Sequence, residues 1–180
     1  MKIFISHSSK DKIIADAFLE QILISGCGVS ENNIFCSSIE GLGIKNGNDF
    51  RAYILKELLE ADYSFLLISN NYKKSDICLN EMGASWAIKN LEVKPFIFPN
   101  IDFNSIGTLY SVKQASKLND GFALDELFEE ITTRYNINKS ITRWNKYKSN
   151  FLETVEKYRK DHLVNISPSP DEYFNQFIQE

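Results

Sequence analysis

One carboxylate in the sequence, Glu81, has neighbours whose types and spacing could support chemistry. Cys78, Glu81 and Ser85 fall at positions i, i+3 and i+7 of a predicted helix, so their side chains share one face. The surrounding apolar and aromatic residues are Leu79, Met82, Ala84, Trp86 and Ala87. A carboxylate held among such side chains loses hydration and becomes a stronger general base or nucleophile. Spacing alone is more typical of a glutamate that faces solvent, so both interpretations stay open here.

Polar side chains also cluster where three predicted strands end. The clusters are Ser6, His7, Ser8 and Ser9 after the first strand, Ser37 and Ser38 after the second, and Ser69, Asn70 and Asn71 after the third. Ligands of open parallel sheets bind just beyond the carboxyl ends of the strands, so these residues are expected to meet at one edge. Polar residues are also common in any surface loop, and that plainer explanation stays open.

A glycine-rich loop follows the second predicted strand. Gly41, Gly43 and Gly47 stand in the order G-L-G-I-K-N-G, which has one residue too many for the dinucleotide fingerprint G-x-G-x-x-G. That fingerprint also follows a first strand and opens a helix, which is not the case here. The sequence therefore does not indicate NAD as a redox cofactor. Residues 38–48 are instead expected to form a mobile loop that folds over a ligand.

The elements that would position these residues alternate between strand and helix. Predicted strands cover residues 2–6, 33–37, 63–69 and 93–98, with a weak fifth strand near 111–118; predicted helices cover 11–25, 49–61, 76–90 and 123–135. This alternation predicts an α/β, flavodoxin-like fold, with a five-stranded parallel sheet in the order 2-1-3-4-5 and helices on both faces. Gly26 and Gly28 are expected to end the first helix, and Pro95 indicates a position near an edge of the sheet or at the start of a strand.

Residues 140–163 form a separate feature, a long C-terminal amphipathic helix. Its stripe, which repeats every three or four residues, consists of Trp144, Tyr147, Phe151, Val155, Tyr158 and His162. From residue 139 to 160 there are seven Lys or Arg and two Glu, which gives +5 and leaves −9 on the rest of a chain whose net charge is −4. We expect the stripe to pack on the chain's own core; the alternative is a surface for a second copy or an effector.

Composition excludes several classes of protein. The 180 residues suit one domain, and 43% apolar with 24% charged residues is ordinary for a globular protein. Three cysteines without a CxxC pair, and two histidines far apart, indicate neither a disulfide framework nor a metal site. The net charge of −4 argues against nucleic-acid binding, and no apolar run reaches the ~20 residues that a membrane span needs. We expect a cytoplasmic protein.

Three segments resemble the TIR (Toll/interleukin-1 receptor) domains of bacteria. They read KIFISHSSKD over residues 2–11, IFCS over 34–37 with the glycine loop after it, and SDICLNE over 75–81. They resemble the family's opening strand and turn, its second strand and BB loop, and its helix C with a Cys-x-x-Glu step. The resemblance covers about residues 1–135, which suggests a TIR domain at 1–137 and a helical extension at 138–180. Two departures stand out: Ile77 replaces a common tryptophan, and residues 37–50 contain no proline.

The resemblance implies cleavage of the nicotinamide–ribose bond of NAD, with Glu81 as the catalytic residue. NAD is then a substrate, and no cofactor is needed. Nicotinamide leaves as a neutral molecule, so no general acid is required, and one carboxylate suffices to stabilise an oxocarbenium-like transition state. The residues expected to bind NAD are Phe4, Ser6, His7, Ser37, Ser38, Gly41, Gly43, Cys78, Ser85 and Trp86. Phe4 and Trp86 would stack on a ring, although aromatic residues of this kind are more often part of a core.

Hydrolysis by water gives an NAD nucleosidase, whereas capture by a ribose or adenine group gives a cyclase. The resemblance further suggests a prokaryotic defence protein that self-associates through TIR surfaces. Its diffusible ADP-ribose-type product would reach a separate effector, with no nucleic acid or membrane involved. Two alternatives remain: a non-catalytic TIR assembly adaptor, and a nucleoside deoxyribosyltransferase-like enzyme that uses the same glutamate on another N-glycoside.

Overall fold

Strands and helices alternate along the chain in a computed structural model that describes residues 1–36, 50–102 and 115–163. The strands are β1 (Ile3–His7), β2 (Ile34–Cys36), β3 (Tyr63–Ile68), β4 (Glu92–Ile97) and β5 (Ser116–Lys117). The helices are α1 (Lys12–Ala17, continued by a π-helix over Phe18–Cys27), α2 (Phe50–Glu60), α3 (Asp76–Ala87), α4 (Gly121–Arg134) and α5 (Ile141–Leu163). None of these helices combines the length and hydropathy that crossing a membrane requires.

The five strands form one parallel sheet in the order β2-β1-β3-β4-β5. This confirms the predicted fold class and strand order. β3 lies at the centre and all six of its residues are buried, as its continuous apolar run predicts. Pro95 lies opposite Leu66, and β5 pairs with β4 only at Phe96 and Ile97. The position of β4 beside an edge strand agrees with the expectation from Pro95.

Alternation along the strands divides the side chains between two helical layers. On one face, Phe65 of β3 contacts Phe18 in the π-helical part of α1, and Phe18 contacts Phe151 of α5. Helix α4 packs against the same part of α1. On the other face, Ser64 of β3 meets Ser85 of α3, and α2 packs beside α3. The sheet therefore has helices on both faces, with α3 over β1 and β3.

The first helix ends at Gly28, and the predicted end at Gly26 is wrong. Gly28 adopts a left-handed φ of 82°, and its N–H and that of Val29 donate to carbonyls of the last turn at 3.0 and 2.9 Å. Gly26 lies in the last turn of the helix, one residue before its final residue, Cys27. A Cβ atom there would come within 2.8 Å of the Trp144 ring in α5. This glycine therefore permits close packing of α5 rather than ending the helix.

The stripe of α5 packs into the chain's own core, as expected. Phe151 and Val155 are fully buried, and Trp144 stacks on Phe128 of α4 with ring centroids 4.6 Å apart. His162, at the end of the predicted stripe, is exposed. Residues 138–163 thus share a core with α1 and α4, while the predicted domain boundary at residue 137 stays a prediction.

An ion pair adds charge complementarity to this contact. The indole N–H of Trp144 donates to Asp125 Oδ1 at 2.6 Å, and the Lys148 ammonium lies 2.7 Å from the same carboxylate. Burial alone would raise the pKa of Asp125, but the hydrogen bonds from Lys148 and Trp144 outweigh it and lower the pKa. A basic residue of α5 is therefore paired with an acidic residue of α4, in the direction that the charge separation predicts.

Replacing Gly26 with alanine should destabilise the protein by about 1–3 kcal/mol, because the new methyl group overlaps the Trp144 ring and the Gln21 carbonyl. The matched control is Gly83→Ala. Gly83 also lies in a helix, but a Cβ there meets nothing within 4 Å, so alanine should stabilise by roughly 0.5–1 kcal/mol. Urea unfolding measures both free energies. If Gly26→Ala is as stable as Gly83→Ala, α5 does not pack on Gly26 as described.

Candidate active site

Glu81 lies on the face of α3 that covers the sheet and is only 2% exposed. Ser75 caps the helix, since its hydroxyl accepts a hydrogen bond from the Cys78 amide at 3.4 Å. Starting from this cap, the helix buries Cys78, Glu81 and Ser85 together, as their spacing predicts. A solvent-facing Glu81 is therefore excluded in this structure, and the carboxylate lies against the end of β1.

Ser6 holds the Glu81 carboxylate directly. Its hydroxyl, at the carboxyl end of β1, donates to Glu81 Oε2 at 2.5 Å. Ser6 is fully buried, so this hydrogen bond forms away from water, where electrostatic interactions are stronger. The structure thus brings together the predicted catalytic residue and one predicted binding residue. Chain positions 75 residues apart meet at the edge of the sheet where ligands of this fold bind.

Ser85 fastens α3 to the sheet one turn beyond Glu81. Its hydroxyl donates to the Glu81 carbonyl at 2.8 Å and lies 3.0 Å from the hydroxyl of Ser64 in β3. Because the Ser85 proton is used on the carbonyl, Ser64 is the donor between the two hydroxyls. Ser85 therefore stabilises the helix that carries Glu81.

Tyr72 is a member of the site that the sequence analysis missed. It is fully buried in a 3₁₀ turn (Tyr72–Lys74) after β3, and its hydroxyl oxygen lies 3.1 Å from that of Ser6. The same hydroxyl donates to the Cys78 carbonyl at 3.0 Å. A tyrosine has one hydroxyl proton, so Tyr72 links the turn after β3 to β1 and to the first turn of α3 at a single point. The polar run before it, Ser69–Asn71, was the available signal.

Asp11 is a second buried group that was missed. Its carboxylate is fully buried and accepts hydrogen bonds from the Ser69 hydroxyl, from the Asn71 amide at 2.8 Å and from the Tyr158 hydroxyl at 3.2 Å. In sequence it has the form of an ordinary acidic residue at a helix start. Its donors come from the loop after β3 and from α5, which local spacing does not reveal.

His7 is buried next to Cys36 and not next to Glu81. Its Nδ1–H donates to the Ser8 carbonyl at 2.8 Å, which leaves Nε2 to accept from the Cys36 thiol at 3.1 Å. Burial is the main cause of a lowered pKa for His7. Successive strand residues point to opposite faces, so His7 lies on the other face of β1 from Ser6. The predicted role of His7 in binding NAD stays a prediction.

Cys78 is buried beside the carboxylate, and its thiol is a poor nucleophile. Burial raises its pKa to about 11, with a further increase from the negative charge of Glu81. At neutral pH the thiol therefore stays protonated. Cys78 contributes an apolar wall and a carbonyl that accepts from Tyr72.

The two aromatic candidates lie in different environments. Phe4 is fully buried and stacks on Phe35 with ring centroids 5.4 Å apart, so it is a core residue in this structure. Trp86 is half-buried, and its indole nitrogen has no hydrogen-bond acceptor among the residues described. The stacking roles of both stay predictions. The remaining candidates, Ser37, Ser38, Gly41 and Gly43, and the predicted mobile loop at 38–48 lie outside the described residues.

A cleft of about 660 Å³ lies away from Glu81, between β4, β5 and α4. Its walls carry Lys94, Lys117 and several acidic residues, and Lys94 is paired with Glu130 at 2.7 Å. None of the residues predicted to bind NAD lines it. The chemistry that Glu81 could perform is therefore separate from this cleft.

Comparison with known proteins supports the fold and leaves the activity open. No protein-family model matches the chain. The chain is 38% identical over 150 residues to the uncharacterized protein YddK of Bacillus subtilis (strain 168), a match that covers 83% of this chain. The match covers 55% of YddK, so the chain spans about half the length of that curated relative.

Two solved structures contain TIR domains. The TIR domain of the Toll-related receptor TRR-2 from Hydra magnipapillata superposes with a TM-score of 0.54 at 12% identity, over 76% of this chain and 98% of that domain. The TIR domains of the activated Roq1 resistosome, which recognises the pathogen effector XopQ, match at 16% identity over 86% of this chain and 83% of that chain. Their TM-score is 0.43. The TRR-2 comparison shows that the chain has a TIR-like fold.

Burial of His7 predicts a loss of stability in mild acid. The ordinary pKa of a histidine is 6.5, and burial lowers the pKa of His7 in the folded chain. Below pH 6.5, the unfolded chain therefore binds a proton at His7 more readily than the folded chain does. The contribution of His7 to the free energy of unfolding should therefore be complete above pH 6.5 and decrease as the pH falls toward the pKa of the folded state. Urea unfolding between about pH 7.5 and 5 should show this slope, and His7→Asn should reduce it.

The other histidine of the sequence provides the control. His162 is exposed at the end of α5, so His162→Asn serves as the matched histidine replacement at a surface position. The comparison concerns slopes, because losing the bonds to Ser8 and Cys36 also lowers the stability of His7→Asn at every pH. An unchanged slope in His7→Asn would show that His7 is not buried in its neutral form.

Proposed function

We propose that the protein cleaves the nicotinamide–ribose bond of NAD, with Glu81 as its catalytic residue. The observation that carries the proposal is the buried Glu81 carboxylate, held by the Ser6 hydroxyl at the carboxyl edge of a TIR-like sheet. The carboxyl edge of the sheet is where folds of this class bind ligands. The low exposure of the Glu81 carboxylate increases its effect on a developing positive charge.

The reaction needs little beyond such a carboxylate. The bond between ribose C1′ and the pyridinium nitrogen breaks, and its electron pair goes to nitrogen, so nicotinamide leaves neutral. The ribose is left with oxocarbenium character, which Glu81 stabilises by charge or by forming a bond to C1′. Water then adds to C1′, with the bond to Glu81 breaking where one has formed, and loses a proton to the solvent, which gives ADP-ribose. If a hydroxyl or ring nitrogen of the same molecule adds instead, the product is a cyclic isomer.

Ser6 supports this chemistry by orienting the carboxylate. Its hydroxyl donates a hydrogen bond to Oε2, which holds the carboxylate against β1. Ser85 and Tyr72 hold the helix and the adjoining turn in place. Preorganised groups of this kind act without reorganising during the reaction, which is the source of most electrostatic catalysis. Because Glu81 is almost fully buried, substrate binding requires a local opening at this edge of the sheet.

The proposal extends to the setting of the reaction. NAD is the substrate, the protein acts in the cytoplasm and self-associates through TIR surfaces, and its ADP-ribose-type product serves as a signal to a separate effector in defence. The two alternatives become outcomes of the test. They are an assembly adaptor without activity, and an enzyme that uses Glu81 on nucleoside deoxyribosides.

Glu81→Gln keeps the shape of the side chain and removes its charge, so NAD cleavage should fall by at least ~10²-fold. Nicotinamide release and the identity of the ribose product are measured by mass spectrometry after incubation of concentrated protein with NAD. The matched control is Glu57→Gln. Glu57 is another buried helix glutamate, paired with Lys2 at 2.7 Å on α2, and its replacement should leave the rate per folded molecule unchanged.

The outcomes separate the alternatives. Near-normal turnover by folded Glu81→Gln protein would rule out the proposed mechanism. Unmodified protein that releases no nicotinamide but self-associates would indicate the adaptor. Protein that leaves NAD intact and cleaves a deoxyribonucleoside, with loss of that activity in Glu81→Gln, would indicate the transferase-like enzyme.

A further inference from the structure

Helix α5 is connected to Glu81 by a series of hydrogen bonds and one close contact between hydroxyl groups, which passes through the side chain of Tyr72. The series runs through Tyr158, Asp11, Ser69, Tyr72, Ser6 and Glu81. It joins α5, the turn after β1, the loop after β3 and helix α3, which are far apart in the sequence. All six residues are buried. None of the predictions from the sequence assigned a role at this edge to α5.

The first link joins Tyr158 to Asp11. The Tyr158 hydroxyl donates to Asp11 Oδ1 at 3.2 Å across 147 positions of the chain. Its ring is fixed by edge contact with Phe98 at 5.4 Å and by stacking on His162 at 3.8 Å. Burial and the nearby Asp11 charge raise the pKa of Tyr158 to about 12, so the hydroxyl keeps its proton and remains a donor.

The second link passes from Asp11 to the loop after β3. The Ser69 hydroxyl donates to Asp11 Oδ2, and the Tyr72 backbone N–H donates to the Ser69 oxygen at 2.9 Å. One serine hydroxyl thus acts as donor and acceptor at once, which fixes its rotamer and the start of the turn that carries Tyr72. Asn71, which donates to Asp11 Oδ1, fastens the same loop a second time.

The last link reaches the carboxylate. The Tyr72 hydroxyl contacts Ser6, and Ser6 donates to Glu81. A shift of the Tyr72 turn therefore moves a group that touches Ser6, whose hydroxyl donates to the Glu81 carboxylate. Buried polar networks change together, because each member left without a partner bears a desolvation penalty.

We propose that Tyr158 is a positioning residue for Glu81, which makes α5 part of the catalytic apparatus. The inference rests on the proposed function for its kinetic readout. Removing the Tyr158 hydroxyl leaves the buried Asp11 carboxylate with one donor fewer, and the loop that holds Tyr72 relaxes. Glu81 then keeps its charge but loses its fixed orientation, so the rate of the chemical step falls more than substrate affinity does.

Tyr158→Phe tests this with the ring packing intact. We expect kcat for NAD cleavage to fall about tenfold with little change in KM, on the scale of a small misplacement of a catalytic group. Hydrogen exchange of the peptides that contain residues 69–74 should become faster. The control is Tyr147→Phe, a half-buried tyrosine of the same helix eleven residues earlier, which should change neither quantity.

A second variant guards against a folding defect. Ser69→Ala interrupts the series at another point and should reproduce both effects. In the double variant with Tyr158→Phe, the loss of kcat should be smaller than the product of the two single losses, because both act through one network. Melting temperature and circular dichroism give the folded fraction, by which each rate is divided.

Each outcome decides the inference. Normal kcat per folded molecule in Tyr158→Phe, or independent losses in the double variant, would overturn the positioning role. If the unmodified protein does not cleave NAD, the proposed function fails, and hydrogen exchange then decides whether Tyr158 orders residues 69–74. Unchanged exchange in both Tyr158→Phe and Ser69→Ala would overturn the network itself.

Discussion

A carboxylate withdrawn from water must receive its hydrogen bonds from the protein, and at Glu81 this requirement organises the surrounding structure. One donor is Ser6, a polar residue that follows the apolar residues Ile3, Phe4 and Ile5 in β1. Ser64, equally out of character in β3, holds α3 through Ser85. The serines on this face of the sheet are therefore explained by the helix above them. They orient α3 so that a charged residue is buried where an apolar one would pack more readily.

Local patterns in the sequence predict much of this fold. The apolar run at 63–69 predicts the central strand, and helical spacing predicts that Cys78, Glu81 and Ser85 share a face. Other features depend on contacts between distant segments. In the sequence, Asp11 resembles an exposed acidic residue at the start of a helix. The hydrogen-bond donors that surround it come from distant segments, so local spacing does not reveal its burial. In the sequence, Gly26 resembles a glycine that ends a helix, although in the structure it allows Trp144 to pack closely against the helix.

The same limit applies to the candidate site. Phe4 lies in a strand covered on both faces, and the pattern does not indicate whether its ring meets a ligand or, as in this structure, Phe35. Tyr72 follows a polar loop, and only the tertiary structure shows that its hydroxyl reaches Ser6. Sequence spacing thus locates the carboxylate, whereas the groups that hold it depend on how β1, the turn after β3 and α3 meet.

The bond between Asp11 and Tyr158 also sets an order of events during synthesis. The chain emerges from its amino end, and domains generally begin to fold in that direction. Here the first turn after β1 cannot complete its hydrogen bonds until α5, 147 residues later, has been made. Contacts of such long range form late and slow folding. A nascent chain therefore contains the whole Cys-x-x-Glu motif well before it can hold that motif in its final geometry. The candidate site at the edge of the sheet is completed only when α5, the last described helix, packs against the core.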